Sequence, residues 1–206
     1  MPKKRRMSAA QRRIHEAALR IFAERGTTEV SVSDLAQAAG VARGTIYNNL
    51  ESPENLFERV AAQLADEMNE RVAASYTHVD DPAERTAIGV RLYIRRAHEE
   101  PHRGRFIVHF GFSNDSLRNV WTGPPMRDLV AALQQGLFDF PPEQVPSALG
   151  LIAGTTVSAI LMVLEGIKTW RDAGTETTTM ILRGLGVEPE RAIIIAGREL
   201  PELVEL

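Results

Sequence analysis

Four side chains within six residues carry the first chemical signal. Arg43, Thr45, Tyr47 and Asn48 can each donate a hydrogen bond, and none of residues 42–50 is acidic. An arginine can pair bidentately with guanine or with a phosphate. An asparagine can read adenine, and a tyrosine hydroxyl can reach a phosphate. A surface that approaches a polyanion must be free of negative charge, as this one is.

Two short helices must position these groups. Apolar spacing and punctuation place them between Val32 and Leu50, joined by Ala39-Gly40-Val41. Leu35 and Ala36 face Val41, Ile46 and Leu50 across a tight turn, and Gly40 sits where the chain must bend. Small residues allow a close crossing, so a second helix is presented to solvent in the manner of a helix-turn-helix. Ser31-Val32-Ser33-Asp34 reads as a capping box, with the Ser31 hydroxyl and the Asp34 carboxylate each accepting the other's amide. A preceding helix over residues 8–25, with Ile14, Leu19 and Phe22 on its apolar stripe, ends at Gly26.

Net charge conceals this segment. The 206 residues hold 24 Lys+Arg against 27 Asp+Glu, a formal charge of −3. Residues 1–50 alone carry nine basic and four acidic groups, a balance of +5, which leaves −8 for residues 51–206. A basic head on an acidic body suggests a nucleic-acid module joined to something else. The arm Lys3-Lys4-Arg5-Arg6 fits contact with the minor groove or phosphates, an import-like basic run, or a solvated tail. Arg12 and Arg13 could reach backbone phosphates or lie on a solvated face.

Residues 8–58 resemble the DNA-binding domain of the TetR family of transcriptional regulators. The resemblance rests on Phe22-Ala23-Glu24-Arg25-Gly26, on Val32, Asp34-Leu35-Ala36 and Ala39-Gly40-Val41, and on Gly44-Thr45-Ile46-Tyr47-Asn48-Asn49-Leu50. Ser52, Glu54 and Leu56 continue it into the next helix. It implies a recognition helix in the major groove, a homodimer on a palindromic double-stranded operator, and a divergent helical C-terminal domain that binds a small effector. The expected DNA contacts are Arg43, Gly44, Thr45, Tyr47 and Asn48, with Ser31 and Ser33. Two positions depart from the pattern. Ala42 replaces a hydroxyl residue at the recognition-helix cap, and Pro53 replaces a frequent lysine, with Ser52 then expected to cap.

The remainder reads as all-α, with about nine or ten helices in the whole chain. A long helix starts near Ser52, with Leu56, Val60, Leu64, Met68 and Val72 at four-residue steps. Asp81-Pro82-Ala83-Glu84 opens another, which Pro101 should end. Further helices are expected over residues 103–113, 125–138, 142–171, 176–185 and 189–200, with Gly174 and Gly186 as breaks. The expected organisation is a basic arm (1–7), a helix-turn-helix domain (8–55) and an effector-binding and dimerisation domain (56–206).

Within that body, residues 144–164 run without a charge, which matches a membrane span in length. The polar residues in this stretch and the lack of a basic flank favour a helix buried on most sides in a soluble, cytoplasmic protein. Gly150, Gly154 and Ser158 form a groove at four-residue spacing. Together with Leu161, Met180 and Leu185 they are the expected dimer interface, packing within one subunit being the alternative. Tyr93, His109, Phe110, Phe112, Trp121 and Met126 would line a pocket for a hydrophobic effector, or simply fill the core.

An enzyme is not expected. Glu99-Glu100-Pro101-His102 supplies one Glu-x-x-His motif of a di-iron bundle, broken by proline and without a second. With no cysteine there is no thiolate chemistry, and neither a metal nor another cofactor is expected. A helical-bundle enzyme or a protein-interaction module that retained the fold is the rival reading. Basicity, turn chemistry and resemblance favour a ligand-responsive regulator, as a repressor.

Overall fold

Residues 7–50, 52 and 55–204 are described by the structure, a computed structural model. They form helices and connecting turns, with no β-strand among the described residues. The arm Lys3-Lys4-Arg5-Arg6 and the helix start expected at Pro53 lie outside them.

Local chemistry explains each N-terminal element. Helix α1 (Ala9–Arg25) opens with a full capping box between Ser8 and Gln11, and it closes on Gly26 at φ +62°. Helix α2 (Val32–Ala39) is capped by Ser31, whose hydroxyl accepts the Asp34 amide at 3.0 Å. The expected reciprocal half of that box is absent. Asp34 instead accepts from Arg25 of α1 at 2.8 Å, an ion pair that draws its carboxyl below the usual range. Gly40 ends α2 at φ +61°, a conformation that favours glycine, and Val41 then donates back to Ala36 at 3.0 Å. Helix α3 (Arg43–Asn49) follows with an unaided cap at Ala42.

The body is built around α4 (Leu56–Ser75) and α5 (Pro82–Glu99), followed by α6 (Pro101–Phe110). Leu56, Val60, Leu64, Met68 and Val72 are all buried, as their spacing predicts. Pro101 ends α5, as expected, and also occupies the first turn of α6, so that helix starts two residues earlier than the sequence suggested. A short 3₁₀ turn, Asp115–Leu117, and α7 (Asn119–Thr122) lead into α8 (Pro124–Gln134); neither short element was expected.

The expected helix over residues 142–171 is two helices. α9 (Val145–Leu164) stops before Gly166, which lies at φ +70°, and α10 (Trp170–Gly184) restarts behind the Thr169 cap. Gly174, the expected break, lies inside α10, buried beside Arg91 of α5. Helix α11 (Pro189–Gly197) is followed by a tail that crosses back to α4, where Arg71 donates to the Val204 carbonyl at 2.8 Å.

Two packed units result. α1, α2 and α3 enclose Ile14, Ala18, Leu35, Ala39 and Ile46. α5 packs on α6, α8, α9 and α10 in the body. α1 joins them by lying against α4 and α6, where Phe22, Phe57, Phe106 and Phe110 stack in a chain of ring contacts 4.9–6.5 Å apart.

α9 departs from the expectation of burial on most sides. Ala148, Ile152, Ala153, Thr156, Ala159 and Ile160 are buried, while Gly150, Leu151, Gly154, Ser158 and Leu161 are exposed along one face. The segment 142–164 is long and apolar enough to cross a membrane by length and composition. Here it packs against α5, α6, α8 and α10.

Candidate nucleic-acid interface and effector cavity

The outward face of α3 is fixed by its inward face. Ile46 is fully buried and Leu50 nearly so, which leaves Arg43, Gly44, Tyr47 and Asn48 exposed, with Thr45 half-buried beside them. Tyr47 is 62% exposed, a cost that core packing does not repay. The side chains of Arg43, Tyr47 and Asn48 make no hydrogen bond among the described residues. A Cβ on Gly44 would meet nothing within 4 Å. The side chains that could read DNA are therefore uncommitted.

Their neighbours are committed to holding α3 in place. Asn49 donates to the Thr45 carbonyl at 2.9 Å and accepts from Ser8 at 3.3 Å, and its carbonyl accepts from Gln11 at 3.4 Å. Arg13, a candidate phosphate contact by sequence, donates instead to the carbonyls of Ala39 and Gly40 at 2.8 and 3.0 Å. It caps the C-terminus of α2, as Arg20 does at Ala38. Arg12 donates to the Met7 carbonyl. Ser31 is occupied as a cap through its acceptor lone pair, and Ser33 is half-buried next to it.

The body holds a narrow cavity between α4, α5, α7, α8 and α9. Tyr93 and Trp121 of the expected pocket line it, together with Asn69, Tyr76, Arg85 and Asp128. Tyr76 donates to one Asp128 oxygen at 2.9 Å and Arg85 to the other at 2.8 Å. Tyr93 donates to Asn69 at 2.9 Å, and Asn69 to the Asn119 carbonyl at 2.7 Å. Burial and the Asp128 charge raise the Tyr76 hydroxyl well above its ordinary value, and burial raises Tyr93 as well. Both phenols therefore stay protonated donors. The cavity measures about 30 Å³, room for a water or two, so a larger ligand requires its walls to part.

The other expected pocket residues lie elsewhere. Phe110 is in the ring cluster against Phe57, and His109 sits at the junction with α1, 3.4 Å from where a Gly26 Cβ would be. Phe112 follows the end of α6 and is 63% exposed, stacked on Trp121. Met126 is half-buried outside the cavity lining. Sequence reasoning missed Asn69, Tyr76, Arg85 and Asp128, which no local motif links.

The residues expected at a dimer interface divide similarly. Gly150, Gly154, Ser158, Leu161 and Met180 are exposed on α9 and α10, and a Cβ at either glycine would meet nothing within 4 Å. Leu185 is buried in its own subunit.

Comparison with known proteins adds family context. Residues 14–60 match the family model for bacterial regulatory proteins of the tetR family, and residues 81–198 match the tetracyclin repressor-like C-terminal domain. An uncharacterized HTH-type transcriptional regulator of Mycobacterium tuberculosis is 28% identical over 97 residues, 47% of this chain and 48% of the relative, so the chain spans about half of it. The HTH-type transcriptional repressor AcnR of Corynebacterium glutamicum is 28% identical, over 79% of this chain and 94% of the relative. Among known structures, RolR in complex with the ligand resorcinol is 28% identical with a TM-score of 0.71, covering 95% of this chain and 96% of that one.

Proposed function

The chain belongs to the TetR family of bacterial transcriptional regulators, and on that premise we propose that it is a ligand-responsive repressor. It binds a palindromic operator as a homodimer in the cytoplasm and leaves it when a small, largely hydrophobic effector enters the body. The observation that carries this reading is the exposed, uncommitted set Arg43, Tyr47 and Asn48 on a helix that buried Ile46 and hydrogen-bonded Asn49 hold in place.

The uncharged exposed face of α9, with Met180 of α10 exposed as well, supports the homodimer. Leu151, Leu161 and Met180 are exposed there beside Gly150 and Gly154. An apolar patch of that kind is covered in a stable protein, and a two-fold pairing covers it with a second copy. The pair presents two α3 helices to half-sites about 34–36 Å apart, or a multiple of that spacing.

The effector is a small hydroxylated aromatic compound. Tyr76, Tyr93 and Trp121 offer ring faces, while the Asp128–Arg85 pair offers a buried acceptor and donor for ring hydroxyls. RolR's complex with resorcinol is consistent with this class. Admitting a ring means opening a 30 Å³ cavity whose wall includes Asn69, Val72 and Tyr76 of α4. The N-terminal half of α4 packs on α1, so the effector favours a state in which the paired α3 helices are spaced differently. Release requires that the two states bind effector unequally.

One experiment tests both halves. The protein is incubated with random duplex DNA, bound sequences are selected, and release from the enriched duplex is titrated with resorcinol and other dihydroxybenzenes. A palindromic site should enrich at moderate salt, and one of these compounds should release it. Failure to enrich any palindrome refutes the operator reading, and enrichment without release by any of them refutes the effector class.

A further inference from the structure

On the side of the body away from the effector cavity, α5, the start of α10 and the chain after α11 enclose an open groove. Its floor and walls carry four guanidinium groups and an imidazole: Arg91, Arg95 and His98 from α5, Arg171 from α10, and Arg198 from the segment after α11. Facing them are Glu99 and Glu199. This is a cationic concavity in the part of the chain, residues 51–206, that carries −8 overall.

Several arginines elsewhere in the body are matched to carboxylates. Arg85 meets Asp128, Arg96 and Arg103 meet Glu67 and Glu100, and Arg191 meets Asp81. In the groove, Arg95 is matched to Glu99 at 2.7 Å and Arg198 to Glu84. Arg91 and Arg171 form no ion pair among the described residues. Arg91 donates to the Arg198 carbonyl at 2.7 Å, and burial pushes its pKa down, the mark of a desolvated cation without a counter-charge. Arg171 lies 4.4 Å from the Trp170 ring centroid, and Arg95 lies 5.4 Å from the same ring. The Trp170 ring thus holds the Arg171 guanidinium on the groove wall, where its side chain makes no hydrogen bond among the described residues.

We infer that this groove is a second ligand site, for a phosphate-bearing small molecule whose oxygens bridge Arg91 and Arg171. Guanidinium forks match phosphate oxygens two at a time, and a diphosphate presents enough acceptors for both arginines, with His98 at the rim. The groove encloses about 630 Å³, far more than one anion needs, which leaves space for the organic part of such a compound. The groove is lined by α5, α10 and the segment after α11, with no residue of the helix-turn-helix, so a free phosphate compound rather than DNA is the occupant inferred. This site is separate from the operator and effector readings and stands without them.

Inorganic pyrophosphate is the probe. The chain has two tryptophans, and Trp121→Phe leaves Trp170 as the sole indole reporter. Titration should change Trp170 fluorescence saturably in the millimolar range or below, and calorimetry on the unaltered chain should give the same affinity. Arg171→Gln, at an exposed position, should weaken binding at least tenfold, with unchanged helicity and unchanged operator affinity. Arg91→Gln should weaken it similarly. The inference is overturned if pyrophosphate does nothing, or if sodium chloride at equal ionic strength reproduces the change. It is also overturned if Arg171→Gln binds pyrophosphate normally, or if that variant loses operator affinity instead, which would make the patch a DNA contact.

Discussion

Ile46 and Tyr47 are adjacent on α3 and should respond to truncation in opposite ways. Ile46 is fully buried between α1 and α2, so Ile46→Ala removes apolar contacts and leaves a cavity, at a cost of about 2–5 kcal/mol. Tyr47 is 62% exposed and unbonded, so Tyr47→Ala should change stability by no more than about 0.5 kcal/mol. Operator binding reverses the order. A hydrogen bond from Tyr47 to a phosphate contributes about 1.5–3 kcal/mol, and a homodimer makes it twice. The loss is about 3–6 kcal/mol, or roughly 10²- to 10⁴-fold in Kd. Thermal unfolding followed by circular dichroism, and fluorescence anisotropy with a selected duplex at fixed salt, measure the two quantities. Arg43→Ala adds a third, because losing a phosphate contact lowers the slope of log K against log salt by about 0.9 per site, whereas losing a guanine contact does not. The placement of α3 is refuted if Tyr47→Ala unfolds the protein, or if Ile46→Ala weakens DNA binding with stability unchanged.

The body and its junctions give four further expectations. Asp128→Asn should weaken effector-driven release at least tenfold with operator affinity intact, because it removes the charge that Arg85 and Tyr76 address; normal release would move the effector elsewhere. Glu67→Gln should reduce the ratio of operator affinities without and with effector, which for allosteric proteins is about 5- to 150-fold; an unchanged ratio would remove Glu67 from the coupling. His15 is buried against α4, with Nδ1 2.8 Å from the Gln63 oxygen and Nε2 without a partner, and burial lowers its pKa below 6.5. The unfolded chain therefore binds this proton more readily, so stability should be full above about pH 6.5 and fall as pH drops through that value. His15→Leu should flatten that decline in denaturant titrations at pH 7.5, 6.5 and 5.5, and an unaltered decline would acquit His15. Gly154→Arg adds a side chain into open space on α9, so each subunit should fold normally and sediment as a monomer; a surviving dimer would rule out this face as the interface.

How much could be read from sequence depended on how local the determinants were. The α1–α3 unit is specified within about forty residues by apolar spacing, by Gly26 and Gly40, and by caps at Ser8 and Ser31. Both the unit and the outward set on α3 were legible. The break between α9 and α10 was not. Gly166 lies at φ +70° after α9, whereas Gly174 lies within the helix that the Thr169 cap opens, buried beside Arg91 of α5. Phe110 and Phe112 look alike two positions apart, yet α6 ends between them, so one turns inward and the other outward. The cavity's polar set was hidden for a different reason. Asp128 meets Tyr76 and Arg85 across 52 and 43 residues, and no periodicity reports a contact of that range.

Helix α4 shows why the local and the long-range parts must work together. Its first turns carry Leu56, Phe57 and Val60 against α1, while Asn69, Val72 and Tyr76 at its far end wall the cavity. A helix of 20 residues is about 30 Å long and stiff along its axis, so a sideways displacement at one end appears at the other, reversed in direction where the middle is held as a pivot. Glu67 is that middle. It accepts from Arg103 of α6 at 2.9 Å, from Arg96 of α5 at 3.2 Å and from its own Arg71 at 3.4 Å. Arg103 also approaches Glu16 of α1 at 3.8 Å. Charges bind the centre of α4 to α5 and α6 and, through Arg103, to α1, while its first turns rest on ring contacts with α1 and its far end on the hydrogen bonds of Asn69 and Tyr76. A ring forced between Tyr76 and Trp121 would then tilt α4 about Glu67 rather than shift it bodily. The Phe57 end would move the opposite way, carrying α1 and the helices it holds, and in a two-fold dimer that displacement is doubled in the distance between the two α3 helices.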